Sequence, residues 1–135
     1  MFTSRNKLRH WTFKRAQTNY ITLPATRHFG PTFEITDEIY QLSHYSREKV
    51  RVLMSLDVES VDLTLDNVER TDRDFALTWA RTWGNGRAFV SVLGHRAEVW
   101  DRPDIQTMWR EGIRWALGLV QGDAAPRKEP SRARP

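Results

Sequence analysis

The chain has no cysteine among its 135 residues. That excludes disulfides, thiolate metal sites and a cysteine nucleophile at once. It leaves the compartment open, because a reducing cytosol permits cysteine without requiring it. No apolar run approaches the roughly 20 residues that a membrane-spanning helix needs, so no membrane partner is expected. Residues 1–20 carry Arg5, Lys7, Arg9, Lys14 and Arg15 but not the apolar segment of an export signal. Localisation is therefore left unassigned, with the cytoplasm as default. GxSxG, GxGxxG and the phosphate-binding loop are missing too. The four histidines show no HxxxH or HEXXH spacing. No metal and no cofactor is expected.

Acidic residues are lacking at one end and scarce at the other. Residues 1–20 hold five basic groups and no acid, residues 21–120 twelve basic groups and fifteen acids, and residues 121–135 four and two. The net charge of +4 thus comes from the termini, around a mildly acidic body. A nucleic-acid reader needs a basic face on its folded part, so no nucleic-acid partner is expected.

Three regions follow from this pattern: a basic, poorly ordered leader (1–20), a folded body (21–120) and a disordered tail (121–135) rich in Pro, Arg and Ala. Within the body, Pro24, Gly30 and Pro31 mark a loop. Phe33, Ile35, Ile39, Tyr40 and Leu42 suggest one or two brief strands. The run 50–56 is almost wholly apolar and reads as a buried strand. Residues 57–74 are acid-rich, with Val61, Leu63 and Leu65 alternating; they read as a short half-exposed strand or a surface excursion. Residues 75–80 and 87–93, joined by Gly84-Asn85-Gly86, form an antiparallel hairpin. Ile105, Met108, Trp109, Ile113, Ala116 and Leu117 recur at helical spacing, with Gly112 in the same stripe. Pro103 suits the first turn of that helix, Asp101 or Asp104 the positive end of its dipole, and Gly118 its end.

A nearly all-apolar strand wants cover on both faces, and one helix covers one face. The sheet is expected to be half clothed, with its open face covered by a second copy or a partner protein.

Several residues are candidates for chemistry. His95 follows the strand 87–93 directly, and histidine is a side-chain type suited to proton transfer. Glu98, three residues on, could orient it. The alternative for His95 is a cap of the strand or the next helix. Asp37 and Glu38 are adjacent on an extended segment, so they point to opposite faces and do not form a catalytic pair with each other. One could accept hydrogen bonds from a sugar hydroxyl or a histidine; otherwise Thr36 or Asp37 caps a turn. Trp79 could stack on a sugar ring or fill core.

The runs FEITDEIYQL (33–42), VRVLMSLD (50–57), ALTWARTWGNGRAFVSVLGH (76–95) and VWDRPDIQTMWREGIRWALG (99–118), in this order, closely resemble the C-terminal part of the ThuA-like, or trehalose-utilisation, family. The likeness covers about residues 24–119. It implies an α/β, partial flavodoxin-like (glutamine amidotransferase-like) domain with a β-hairpin and a C-terminal amphipathic helix. It implies a link to utilisation of disaccharides such as trehalose and their 3-keto derivatives, with a small-molecule sugar as partner. The amidotransferase catalytic histidine corresponds to His95, the family's Asp-Glu pair to Asp37 and Glu38, and the hairpin tryptophan to Trp79. Without a cysteine, glutamine hydrolysis by the amidotransferase route is excluded.

The chain departs from the pattern in three places. The opening strand-helix series with its Gly-His-rich segment is missing. Leu23-Pro24 stands where His-Pro is common, and residues 1–20 match nothing in the pattern. These departures imply a truncated domain. The expected roles are catalytic for His95 and Glu38, and ligand-binding for Asp37, Trp79 and Glu98. The alternative is a non-catalytic sugar-binding or interaction module, or an inactive remnant.

Overall fold

The computed structural model describes residues 12–19 and 23–127. Among the described residues five strands are present: β1 (Thr12–Thr18), β2 (Thr32–Glu38), β3 (Arg51–Leu56), β4 (Ala76–Trp83) and β5 (Gly86–Ser91). They form one sheet in the order β2-β1-β3-β4-β5. Two helices follow, α1 (Ala97–Trp100) and α2 (Pro103–Ala116). The mixed α/β class, the hairpin and the closing helix are as expected. All four strand pairings are antiparallel. A parallel flavodoxin-like core is therefore not built by the described elements.

Strand β1 corrects the reading of residues 1–20 as a loose leader. It lies inside the sheet, between β2 and β3. Its period is hidden by a bulge between Phe13 and Arg15. Phe13 and Ala16 are buried while Lys14 and Arg15 between them are exposed. Two successive side chains thus share the solvent side, and simple alternation fails. The leader's first eleven residues lie outside the described residues.

Strand β3 is buried at every position. One face joins the main core of Met54, Leu56, Phe13, Leu77, Ile105, Met108 and Trp115. Here Thr78 sits opposite Met54 and directs its hydroxyl at the Met108 sulfur of α2. The other face carries Val52 opposite Trp79, in a smaller cluster with Val50, Ala76 and Tyr45. A loop residue, Tyr45, thus supplies part of the second cover where a second helix was expected to be wanting.

Helix α2 buries Ile105, Met108, Gly112 and Trp115. The expected stripe through Ile113 and Leu117 is rotated away, and both are exposed, at 53% and 68%. Gly112 sets this rotation. A Cβ there would stand 2.5 Å from the Phe89 ring, so only glycine allows the helix so close to β5. Pro103 occupies the first turn, and Gly118 takes positive φ just past the end, as expected.

Residues 57–75 form a surface excursion without a strand, beginning with a 3₁₀ turn at Val58–Ser60. The tail is packed at its start: Ala124 is buried, and the buried Arg51 guanidinium bonds the Ala125 carbonyl and the Asp123 carboxylate. The expectation of disorder fails for residues 121–127; the rest of the tail lies outside the described residues. Among the described residues no helix is long and apolar enough to cross a membrane.

Candidate functional site

Antiparallel pairing places the ends of β2, β3 and β5 and the start of β4 at one end of the sheet. His95 lies there, just after β5, and Asp37 and Glu38 close β2. Asp37 is fully buried. Its Oδ2 accepts the Gly94 N–H at 2.6 Å, and its Oδ1 accepts the Arg96 N–H at 3.1 Å and the Glu38 N–H at 3.0 Å. A buried carboxylate without protons to give can be satisfied in this way by backbone donors. It grips the two residues that flank His95.

The imidazole meets the neighbouring carboxylate. His95 Nδ1 lies 2.9 Å from Glu38 Oε2, with the Glu38 side chain 19% exposed and His95 40%. The Tyr40 hydroxyl lies 3.3 Å from the same ring nitrogen. Loss of hydration and the hydrogen bond to Glu38 raise the Tyr40 hydroxyl above its ordinary value, with the charges of Glu38 and Asp37 adding to this. Glu38 thus accepts from both neighbours, which favours the tautomer carrying hydrogen on Nδ1 and a lone pair on Nε2.

The loop between β5 and α1 is fixed from its other side by Trp100, whose indole N–H donates to the Gly94 carbonyl at 2.9 Å. Gly94 adopts φ +119°, and a Cβ there would stand 2.7 Å from the Trp100 ring. Trp100 in turn stacks on Trp109 of α2. Arg102 ties the start of α2 to the sheet by donating to the Glu34 carbonyl at 2.6 Å.

Of the expected site residues, His95, Glu38 and Asp37 come together. Asp37 holds the loop, and its oxygens already serve three backbone donors, so it is not presented to a ligand. Glu98 does not orient His95. It is 75% exposed and lies 3.7 Å from the Arg96 guanidinium. Trp79 packs beside Tyr45 on the sheet face opposite α2, with 6.3 Å between rings. In the sequence Tyr40 reads only as part of a strand piece with Ile39 and Leu42, and Trp100 has no role, because no local spacing marks either as a neighbour of the His95 loop. Among the described residues no three His, Asp or Glu side chains gather as metal ligands do.

No curated protein and no solved structure matches the chain. A family model described as trehalose utilisation matches residues 3–116. This stretch is longer at its start than the likeness read from the motifs and includes most of the basic run, β1 among it. Because the match spans all five strands and both helices, the chain belongs to the ThuA, or trehalose-utilisation, family.

Proposed function

We propose that this chain processes a sugar of the trehalose or 3-keto-disaccharide class, with His95 as the proton-transferring group. The observation that carries the reading is the contact of His95 Nδ1 with Glu38 Oε2, on a loop gripped by buried Asp37. Nε2 takes a proton from the carbon beside a sugar keto group and returns it to the product. Glu38 stabilises the imidazolium formed in between, as a carboxylate does for a histidine base. Asp37 and Trp100 fix the loop and touch no substrate.

His95 stands 40% open to water, and a proton-transfer site works better when water is excluded. The reading therefore includes a protein surface, from a second copy or a partner, closing over this end of the sheet.

A non-catalytic sugar-binding role is the second reading. It is favoured by Trp100, whose ring is 48% exposed beside the same loop and offers a face for a sugar to stack on. One experiment separates the two. Hydrolysis and isomerisation of 3-keto-trehalose are followed with the unaltered chain and with His95→Ala, alongside binding. Under the catalytic reading the variant loses at least about 100-fold in turnover while binding persists. Equal rates in both proteins exclude a catalytic His95.

A further inference from the structure

Helix α2 shows solvent a stripe that nothing among the described residues covers. Its buried positions are Ile105, Met108, Gly112 and Trp115. On the opposite side Gln106, Arg110, Ile113 and Leu117 are exposed, at the spacing that lines one helix face. Exposed Arg114 flanks them. Arg110 and Arg114 both lean on a single carboxylate, Glu111, at 3.4 and 3.2 Å. Two cations on one anion leave the stripe with excess positive charge around an apolar centre. An apolar patch with a polar rim is the usual anatomy of a protein contact.

The chain also carries a surface of the complementary kind. In the excursion of residues 57–75, Leu65 is exposed among acids. The cations of that stretch are already taken, Arg70 by Asp72 and Arg73 by Glu59. The exposed Asp66 and Glu69 carboxylates meet no cation among the described residues. One surface is thus apolar and basic, the other apolar and acidic.

Their placement lets them meet. Val61, Leu63 and Val68 of the excursion pack on the same core as α2, so both surfaces belong to one face of the sheet. They stand at its opposite ends. Arg87, beside the β4–β5 turn, donates to the Trp115 carbonyl near the end of α2. The excursion closes at Phe75, whose carbonyl accepts the Leu56 N–H at the other end of the sheet. Two copies facing one another in antiparallel sense bring each helix stripe to the other's excursion. Both contacts form under one two-fold axis, and the assembly closes at two.

We propose that the chain pairs with a second copy in this way, Ile113 and Leu117 against Leu65, with Arg110 and Arg114 against Asp66 and Glu69. The pairing stands without the acid/base reading of His95. Sedimentation of the full chain tests it. A monomer–dimer equilibrium is expected at micromolar concentration, weakened several-fold at about 0.5 M salt. Two variants each reverse one surface: Arg110→Glu with Arg114→Glu, and Asp66→Lys with Glu69→Lys. Each alone sets like charges together and is expected to dissociate at least about tenfold more easily. Mixed in equal amounts, the two are expected to recover the dimer, because acid then meets base at both contacts. Four results overturn the proposal: a monomer up to millimolar concentration, reversed variants that pair as tightly as the parent, a mixture that stays monomeric, or assembly that continues beyond two copies.

Discussion

Asp37 Oδ2 accepts the Gly94 N–H at 2.6 Å, joining the last turn of one edge strand to the residue before the candidate base. The bond is made by a side chain with no exposure to water. It has a neutral competitor in the asparagine side chain, which keeps the shape but offers one acceptor fewer. Asp37→Asn is expected to cost about 1.5–3 kcal/mol, the range for hydrogen bonds to a charged group. Urea unfolding checks this. The amide signals of Gly94 and Arg96 should move in the same variant, while those of β4 stay in place.

Two glycines carry close contacts, and a third does not. Gly112→Ala places a methyl against Phe89, and Gly94→Ala against Trp100 with φ already positive. Each is expected to destabilise by about 1–3 kcal/mol, through overpacking in the first case and with backbone strain added in the second. Gly84 also has positive φ but no atom within 4 Å of the added carbon. Its alanine variant is expected to lose only the backbone share, about 1 kcal/mol. Comparing the three thermal midpoints separates contact from conformation.

The Arg102–Asp104 pair gives the protein an acid-sensitive tie. The guanidinium holds the Asp104 carboxyl below its ordinary value of 3.8, chiefly through the hydrogen bond and in spite of partial burial. A depressed carboxyl stabilises the fold above the unfolded value and loses that contribution as pH falls through the folded one. Both side chains are about one-third exposed (34% and 32%), so solvent screening limits the effect to about 1 kcal/mol or less. Asp104→Asn should therefore be less stable than the parent at neutral pH, and the gap should close at strongly acid pH. Urea midpoints at both pH values provide the check.

Arg51 gives a test of the packed tail. The guanidinium is 1% exposed, while Asp123 opposite it is 51% exposed. Removing one member of a fully buried pair costs about 3–5 kcal/mol, and half exposure of the carboxylate moves this to the low end or under it. A chain ending at Gly122 is expected to lose about 3 kcal/mol or less in chemical unfolding. A loss near zero would mean that the tail carries no part of the stability.

The elements that showed in the sequence are those with a single clear period. Strand β3 is almost wholly apolar, the β4–β5 hairpin has Gly-Asn-Gly at its turn, and α2 repeats its apolar positions at helical spacing. Strand β1 did not show, because its bulge puts Lys14 and Arg15 together on the solvent side. The rotation of α2 did not show either, because Ile113 is as apolar as the buried Met108. Only the proximity of Phe89 to Gly112 selects the face. His95, Glu38 and Asp37 were visible as residue types near strand ends. That Glu38 rather than Glu98 meets the imidazole depends on β2 reaching the far side of the same loop, and local spacing carries no trace of that pairing.

The placement of β1 has a consequence for how the sheet assembles. Strands β1 and β2 form one ladder, and β3, β4 and β5 another. Between them, Ala16, Gln17 and Thr18 pair with Leu56, Ser55 and Met54, the Asn19 N–H donates to the Leu53 carbonyl, and Asp37 reaches from β2 to the loop after β5. In the chain β2 follows β1 and β3 comes later, so the β1–β2 ladder can form before β1 gains its second neighbour. The sheet is two ladders joined twice, by the short β1–β3 pairing and by Asp37 across its outer edges, so loosening either joint alone leaves the other holding.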